Sequence, residues 1–368
     1  MSRLSILNSS WVYQNPKPHL RAIHAFHPCL NRLPDGSWIA TFDLGQGVES
    51  LDYHTVLARS ADAETWQLQG PILPASPSIP PTTHSVRTAA LSDGRLVGFG
   101  ARFYREDPEE GILNRETMGL CRTDLIWTES HDHGLSWSDP QPVTLPVAGE
   151  AWEASHNPLE LPDGTLALPV AAWRNWDGKL PDGEQSLIAL SHDGGRTWPE
   201  FRRTFDGRKT GLIHWEQCVI PFADGLLAVA WVYDPASHRS LPSVFSIAPD
   251  TSNNFPPSQP MGFHAETCEI LALENKQVLA VYRRVDQPGL WAEMATVEDN
   301  RWIRHPAIPL WQGAQSGMHS LTNATEAVSG LKFGSPSLKR MDDGTVLVLF
   351  WCQEDGISGI RWLKLGIS

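Results

Sequence analysis

The alternation of apolar and polar positions along the chain is typical of many short β-strands. One phrase, an apolar strand followed by an Asp-Gly turn and a second apolar strand, occurs in six places. The copies lie at 29–42, 88–100, 158–170, 218–231, 268–282 and 337–350, and the fifth has Glu274-Asn275 in place of Asp-Gly. Long apolar stripes with the 3.6-residue period of a helix do not occur, so the pattern predicts an all-β protein.

The spacing of the copies predicts the architecture. Each copy opens a repeat of about 50–70 residues, which is the size of a four-stranded propeller blade. Six repeats predict a six-bladed β-propeller that forms a single domain over residues 1–368. The final strand, 359–368, has no outer neighbour in its own repeat, and the N-terminal stretch 2–14 has no repeat of its own. We therefore expect these two segments to pair and to close the ring.

Composition narrows the range of partners. The 368 residues carry a formal net charge of -13 with scattered Lys and Arg, which argues against nucleic acid as a partner. No apolar run reaches membrane-spanning length and no signal-peptide core is present, so we expect a cytoplasmic protein without membrane contacts. The five cysteines include no Cys-x-x-Cys pair, which favours buried thiols over disulfides or a zinc knuckle.

A second phrase follows the first in three repeats. Ser191 to Trp198 fits the pattern Ser-x-Asp-x-Gly-x-Thr-Trp in full, Ser130 to Trp137 has Ser for Thr, and Ser60 to Trp66 lacks one residue. Incomplete versions of the phrase occur at 246–255 and 296–302. These phrases resemble the Asp boxes of the sialidase superfamily of β-propellers. Such a turn has a structural role: Asp accepts backbone N–H groups, Gly takes a positive φ and Trp packs between blades.

The two kinds of turn predict which face of the propeller binds a ligand. We expect the Asp-Gly turns and the Asp boxes on one face, with the loops between the second and third strands of each blade on the other. Those loops are long and polar, at 43–53, 101–116, 174–185, 233–240 and 283–289. Long polar loops on a rigid scaffold commonly carry binding residues.

Candidate site residues come from aligning the six innermost strands on their Asp-Gly turns. Eight residues before the Asp lie His27, Ser85, Ser155, Glu216, Glu266 and Ser335. Two residues earlier, on the same side of an extended strand, lie Ala25, Thr83, Glu153, His214, His264 and Phe333. The polar members at the channel mouth suit acid–base chemistry, and a divalent metal bound to their His and Glu side chains is an alternative. A hydrated channel wall without chemistry is the simplest interpretation.

The resemblance to sialidases implies three arginines, a Tyr–Glu pair and an acid/base Asp. Where the family has Arg-Ile-Pro this sequence has Phe26-His27-Pro28, and where the family has Tyr-Ser-x-Leu it has 335–338, Ser-Pro-Ser-Leu. The arginine expected in repeat four falls near Val232 and Tyr233. Glu216 does match the family's glutamate, while Asp43, Glu49 and Asp52 all compete for the acid/base position. Ordinary sialidase activity is therefore not expected.

These observations favour a glycosidase that acts on a small or terminal sugar, acidic sugars included. The catalytic candidates are Glu216, Glu266, His27, His264 and Asp52. The candidates for substrate binding are Glu153, His214, Arg87, Arg102, Arg283, Arg284, Trp215 and Trp176, because arginines pair with carboxylates and aromatic rings stack on sugars. The two adjacent arginines could equally pair with rim carboxylates such as Asp286. No cofactor is predicted apart from the alternative of a metal.

Two further hypotheses come from the same residues. A lyase acting on a uronate-containing glycan would use His27 or His264 to remove a proton, with an arginine or a metal stabilising the enolate. A propeller that binds carbohydrate or protein without catalysis would be consistent with the missing sialidase residues.

Overall fold

The computed structural model describes residues 3–74, 79–149, 151–154, 156–249, 254–315 and 330–368, and its elements are β-strands. The chain begins with β1 (Leu4–Gln14). The first blade follows, with β2 (His24–Arg32), β3 (Trp38–Gly45), β4 (His54–Ser60) and β5 (Gln67–Pro71) from the axis outward. The second blade has β6 (Thr82–Ala90), β7 (Leu96–Tyr104), β8 (Thr123–Ser130) and β9 (Gln141–Pro142).

The third blade differs at the axis, where two short strands share the innermost position. They are β10 (Ala151–Glu153) and β11 (Leu159–Glu160), followed by β12 (Leu166–Trp173), β13 (Gln185–Ser191) and β14 (Glu200–Asp206). The fourth blade has β15 (Ile213–Phe222), β16 (Gly225–Asp234), β17 (Arg239–Pro249) and β18 (Gln259–Pro260).

The fifth blade has β19 (Ala265–Ala272), β20 (Gln277–Arg284) and β21 (Leu290–Glu298), and then both β22 (Arg301–Arg304) and β23 (Ile308–Trp311) pair with β21. The sixth has β24 (Phe333–Arg340), β25 (Val346–Glu354) and β26 (Ile357–Ile367). Its fourth strand is β1, which pairs antiparallel with β26 from Leu4↔Ile367 to Gln14↔Gly359. All six sheets are antiparallel, and the predicted all-β, six-bladed propeller is confirmed.

The apolar side chains lie between neighbouring blades. Strand residues alternate between two faces, so each sheet presents apolar residues to the sheet on either side. Six clusters of buried side chains join blade one to two, two to three, and so on round the ring to blades six and one. The core is therefore divided into six layers around the axis, which leaves the axis itself for polar side chains.

The Asp-box phrases form the turns that their sequence predicts. Asp193 Oδ1 accepts the N–H groups of Arg196 and Thr197, both at 3.0 Å, and Oδ2 accepts the Thr197 hydroxyl at 2.6 Å. Gly194 and Gly195 both have positive φ. The Trp198 ring packs edge-on against Trp127 of the second blade, with centroids 5.4 Å apart. The box therefore fastens the edge of one blade to its neighbour.

The Asp-Gly turns and the Asp boxes lie on the same face. Arg95, beside the Asp-Gly turn of the second blade, donates to the Gly194 carbonyl in the box of the third blade at 3.3 Å. His133 in the second box is 3.8 Å from Asp35 in the first blade's turn. The innermost strands begin at the other face, where the long loops are. In the described part of the chain, no helix has the length and apolar character needed to cross a membrane.

Candidate functional site

A bulge in the innermost strands decides which side chains face the channel. His27, Glu216, Thr267 and Ser335 have φ between 45° and 48°, the left-handed region. In each of these strands the pairing with the second strand shifts at this point. A bulge interrupts the strict alternation of a strand. The residue at each bulge therefore faces the channel, in β19 and β24 the residue two positions later does so as well, and the residue two positions earlier does not.

All six blades contribute to a cavity of about 210 Å³ at this end of the channel. Its polar lining comes from the innermost strands and includes His27, Ser85, Arg87, Glu153, His156, Asn157, Glu216, Thr267, Glu269, Ser335 and Ser337. Its apolar wall comes from the second and third blades and includes Phe103, Ile112, Leu113, Leu120, Trp152 and Trp173. The cavity thus combines a polar floor with a one-sided aromatic and aliphatic wall, which is typical of ligand sites.

Asp43 is the centre of a buried network on the first-blade side of the cavity. Its carboxylate accepts hydrogen bonds from Tyr53 at 2.9 Å, Thr55 at 2.6 Å, Ser85 at 2.7 Å and Arg87 at 3.1 Å. Burial alone would raise the pKa of Asp43, but the Arg87 charge and these hydrogen bonds hold it well below its usual range. Asp43 is therefore an ionised and fully buried carboxylate.

His27 joins this network from the bulge of β2. Its Nδ1 is 2.8 Å from the Tyr53 hydroxyl and 3.3 Å from Asp43 Oδ2. Burial lowers the pKa of His27 despite the nearby Asp43. A neutral imidazole that is held by a tyrosine and backed by a carboxylate can act as a proton acceptor.

Glu216 faces the cavity from the bulge of β15. Its backbone N–H donates to Glu153 Oε2 at 3.3 Å, and the indole N–H of Trp231 donates to Glu216 Oε2 at 2.8 Å. Burial raises the pKa of Glu216 to about 7, and the negative charge of Glu153 adds to this effect while Arg283 opposes it. Two carboxyl groups from neighbouring blades thus lie near enough at the cavity floor for the charge of Glu153 to act on Glu216.

A third carboxyl group, Glu269 of β19, lies across the floor. His156 Nδ1 is 3.3 Å from Glu269 Oε2, and burial raises the pKa of Glu269 to about 7. Burial, followed by the charge of Arg87, lowers the pKa of His156 to about 3. His156 is therefore neutral at neutral pH, whereas Glu269 is divided between its protonated and ionised forms.

Of the residues predicted from sequence, six line the cavity: His27, Ser85, Arg87, Glu153, Glu216 and Ser335. Their roles stay predictions. Ser155, a predicted member of the ring, lies outside the described residues.

Glu266 does not occupy the ring position, which belongs to Thr267. The N–H of Leu273 bonds to the Gln277 carbonyl, just as Leu33 bonds to Ser37 in the first blade. Asn275 thus corresponds to the turn Asp, and the alignment on Glu274 was wrong by one residue. Glu266 is 1% exposed and is ion-paired with Arg283 at 2.9 Å.

His214 and His264 were expected beside the ring, and this expectation is wrong because neither lines the cavity. The bulge of β15 turns His214 away, whereas His264 was assigned by the alignment on Glu274 that is wrong by one residue. The His214 ring is 8% exposed and stacks on Phe205 of the third blade with centroids 5.1 Å apart. His264 is exposed at the start of the fifth blade. Of the predicted His and Glu side chains, His27, Glu153 and Glu216 therefore share the cavity, and His214, His264 and Glu266 lie outside its lining as the described residues define it.

The remaining predicted residues lie in the loops or in the packing around the site, outside the lining of the cavity as the described residues define it. Asp52 is exposed and accepts the N–H of Gln46 at 3.0 Å. Arg284 pairs with Asp286 at 2.6 Å, which is the alternative considered above. Arg102 and Trp176 lie away from the cavity, at the end of β7 and in the 174–185 loop. Trp215 is buried against Trp173, Trp231 and Tyr233.

Sequence reasoning missed Tyr53, His156, Asn157, Glu269 and Trp173 as lining residues. One signal could have found some of them. Proline follows the bulge residue in His27-Pro28 and Ser335-Pro336, and a proline within a strand marks a bulge or an edge because it has no N–H for the ladder. Once the bulge is recognised, the positions two residues after the ring are expected to face the channel, and in the third and fifth blades these are Asn157 and Glu269.

Comparison with known proteins shows the fold. No family model and no curated protein matches this sequence. A protein of unknown function from Dyadobacter fermentans superposes with a TM-score of 0.74 at 18% identity, with 99% of each chain covered. A Penicillium chrysogenum α-L-arabinanase complexed with arabinobiose gives 0.64 at 13%, with 98% of each chain covered.

A Trypanosoma rangeli sialidase in complex with sialic acid is a further structural neighbour. It gives a TM-score of 0.64 at 15% identity over 93% of this chain, which spans 54% of that sialidase. At these identities the similarity establishes a shared β-propeller fold, and the chemistry has to be argued from the cavity.

Proposed function

We propose that this protein is a glycoside hydrolase that cleaves a small or terminal sugar in the channel cavity. Glu216 would act as the general acid, and Glu153 would act as the second carboxylate, either as a base or as a nucleophile. The observation that carries the proposal is that both side chains line the floor of one cavity, where Glu153 Oε2 accepts the backbone N–H of Glu216 with an N···O distance of 3.3 Å and the charge of Glu153 raises the pKa of Glu216. Glycosidases generally need one protonated and one ionised carboxyl group beside the scissile bond.

The surroundings of this pair support the two roles. Trp231 holds the Glu216 carboxyl by a hydrogen bond of 2.8 Å, and the raised pKa suits a proton donor at neutral pH. Trp152 and Trp173 form an aromatic wall on which the apolar face of a sugar ring could stack. The neighbours complexed with arabinobiose and sialic acid bind sugars on the same fold.

The buried arginines favour a neutral sugar over an acidic one. Arg87 is bonded to Asp43 at 3.1 Å, and Arg283 is bonded to Glu266 at 2.9 Å. Each arginine is already paired with a buried carboxylate. If the arginine paired with a substrate carboxylate instead, the buried carboxylate would lose its partner, and an unpaired buried charge usually costs about 3–5 kcal/mol. A pentose or hexose without a carboxylate fits this arrangement better.

Replacing Glu216 by Gln tests the proposal. Wild-type protein and Glu216→Gln are assayed on neutral oligosaccharides and on aryl glycosides with good and poor leaving groups. Because general acid catalysis contributes about 10²-fold to 10⁴-fold, we expect at least about 10²-fold loss on the poor leaving groups and a smaller loss on the good ones, which need less protonation.

Glu109→Gln is the matched control, because Glu109 is an exposed side chain on a loop and its loss should leave turnover unchanged. Equal losses by Glu216→Gln on all leaving groups would contradict the acid role. Unchanged turnover would overturn the proposal.

A lyase acting on an acidic glycan is the second candidate, favoured by the His27–Tyr53 contact at 2.8 Å. Proton removal by His27 would yield an unsaturated product that absorbs in the ultraviolet, whereas hydrolysis would not. Appearance of this absorbance with uronate-containing substrates, and its loss in His27→Gln, would favour the lyase over the hydrolase. A protein that binds sugars but turns over none of these substrates would be a binding module.

A further inference from the structure

Three potential metal ligands from consecutive blades lie close together, and two of them, His156 and Glu269, line the cavity floor. His156 lies between β10 and β11 in the third blade, Cys218 lies in β15 and Glu269 lies in β19. Cys218 and Glu269 are each two residues after the bulge residue of their strand. Glu269 faces the cavity, and Cys218 lies behind it, in the packing between the fourth and fifth blades.

The donor atoms of this trio are close to one another. His156 Nδ1 is 3.3 Å from Glu269 Oε2, and one donor atom from each of the three residues lies within 4.8 Å of the others. Zinc bonded at about 2.0–2.3 Å holds tetrahedral ligands about 3.3–3.8 Å apart, so small side-chain rotations would bring the donors into place. In the part of the chain that the structure describes, this is the one group of His, Cys and carboxylate side chains with such spacing.

We propose that His156, Cys218 and Glu269 bind one Zn²⁺ ion, with an open coordination position on the cavity side. Imidazole, thiolate and carboxylate are the ligands that zinc uses in proteins, and three protein ligands with one open position are typical of its reactive sites. Cys218 is 2% exposed, while the His156 and Glu269 side chains are 16% and 15% exposed. The open position therefore points to the cavity and would take a water molecule or a sugar oxygen.

Charge balance supports an ion at this position. On binding, the Cys218 thiol loses its proton to solvent and forms a Zn–S bond, and Glu269 binds as the carboxylate. The two negative charges then balance the charge of the ion, so that the buried group as a whole is neutral, which lowers the cost of burying it. This inference goes beyond the proposed hydrolase, because binding of zinc requires neither Glu216 nor a substrate.

The test is metal binding by the whole protein, without substrate. After chelator treatment, Zn²⁺ is titrated calorimetrically and Co²⁺ is titrated by absorbance. We expect one equivalent of each, with a sulfur-to-cobalt charge-transfer band that Zn²⁺ abolishes. Cys218→Ser should lose the band, and Glu269→Gln, which is nearly isosteric, should weaken zinc affinity by more than about tenfold.

Cys352→Ser is the matched control, because Cys352 is also fully buried but lies in the sixth blade; it should bind zinc as the wild type does. Absence of stoichiometric binding by the wild type, or cobalt bound without a thiolate band, would overturn the inference. If Cys218→Ser does not fold, unaltered zinc affinity in folded Glu269→Gln overturns it equally. If Glu216→Gln loses turnover and the wild type binds no zinc, the zinc site is overturned and the proposed hydrolase is not.

Discussion

At the scale of single residues, burial rather than residue type decides the pKa of a side chain and the contacts that it makes. His214 is a polar residue near the channel in sequence, yet its ring is buried between the third and fourth blades and stacks on Phe205. Its Nδ1 is buried and has no hydrogen-bond partner among the residues that the structure describes. Burial lowers the pKa of His214 to about 4.

This lowered pKa predicts a pH dependence of stability. Below its pKa of about 6.5 the unfolded chain protonates His214, whereas the folded protein does so only near pH 4. Stability is therefore lost as the pH falls from about 6.5 to about 4, by at most about 3 kcal/mol for this group. His214→Phe keeps a ring stacked on Phe205 and has no group that titrates at this position. We therefore expect the free energy of unfolding of the variant to fall less than that of the wild type over this pH range.

Urea denaturation at several pH values between 7.5 and 4.5 measures this decline. His84 and His156 also have pKa values lowered by burial, to about 4 and about 3, so part of the loss should remain in the variant. The exposed His19→Phe is the control and should decline like the wild type. An identical decline in His214→Phe would show that His214 does not titrate in this way.

At the scale of an element, the Asp-box turns are separated from the cavity. Trp198 is 5% exposed and joins the cluster between the second and third blades. Leu135, at the tip of the second box, is 75% exposed. Leu135 is the sixth residue of its phrase and Trp198 the eighth residue of its own, and the two side chains differ strongly in packing.

This difference predicts the effect of truncation. Trp198→Ala should lower the free energy of unfolding by about 3–5 kcal/mol, which is usual for a buried aromatic residue, and Leu135→Ala by less than about 0.5 kcal/mol. Urea midpoints measure both. Because the box lies on the face away from the cavity, the folded fraction of Trp198→Ala should keep wild-type sugar binding and turnover. Loss of turnover at an unchanged midpoint would contradict this separation.

At the scale of the whole molecule, β1 supplies the outer strand of the blade that completes the ring. Its Leu4 and Val12 side chains are each 7% exposed and belong to the clusters that join the sixth blade to the fifth and to the first. The two ends of the chain meet, since Arg3 N–H donates to the Ser368 carbonyl at 2.6 Å.

This arrangement predicts that the stability of the fold depends on the presence of β1 and not on its position at the N-terminus. Deleting residues 1–14 should expose the edge of β26 and cause unfolding or aggregation. A circular permutant that joins Ser368 to Arg3 by a short Gly-Ser linker, with new ends between the exposed Pro18 and His19, should keep a wild-type circular dichroism spectrum and urea midpoint. A permutant as unstable as the deletion would show that the covalent link from β1 to β2 is itself required.

The sequence by itself determined the number of blades, the strand order within them and the face that carries the turns. These features depend on local signals, such as the Asp-Gly turn and the Asp box, in which each residue interacts with others a few positions away. Asp193, for example, binds the N–H groups of residues three and four positions later. Such contacts are complete within one phrase and can be read from it.

The tertiary structure alone decided which polar side chains share the cavity. A left-handed residue at each bulge shifts the alternation of the innermost strands, so that Glu269 faces the channel while Glu266 pairs with Arg283. Asp43 meets Arg87 across 44 positions, and His156 meets Glu269 from another blade. Their positions depend on the angle and register of neighbouring blades, which short-range sequence patterns do not encode.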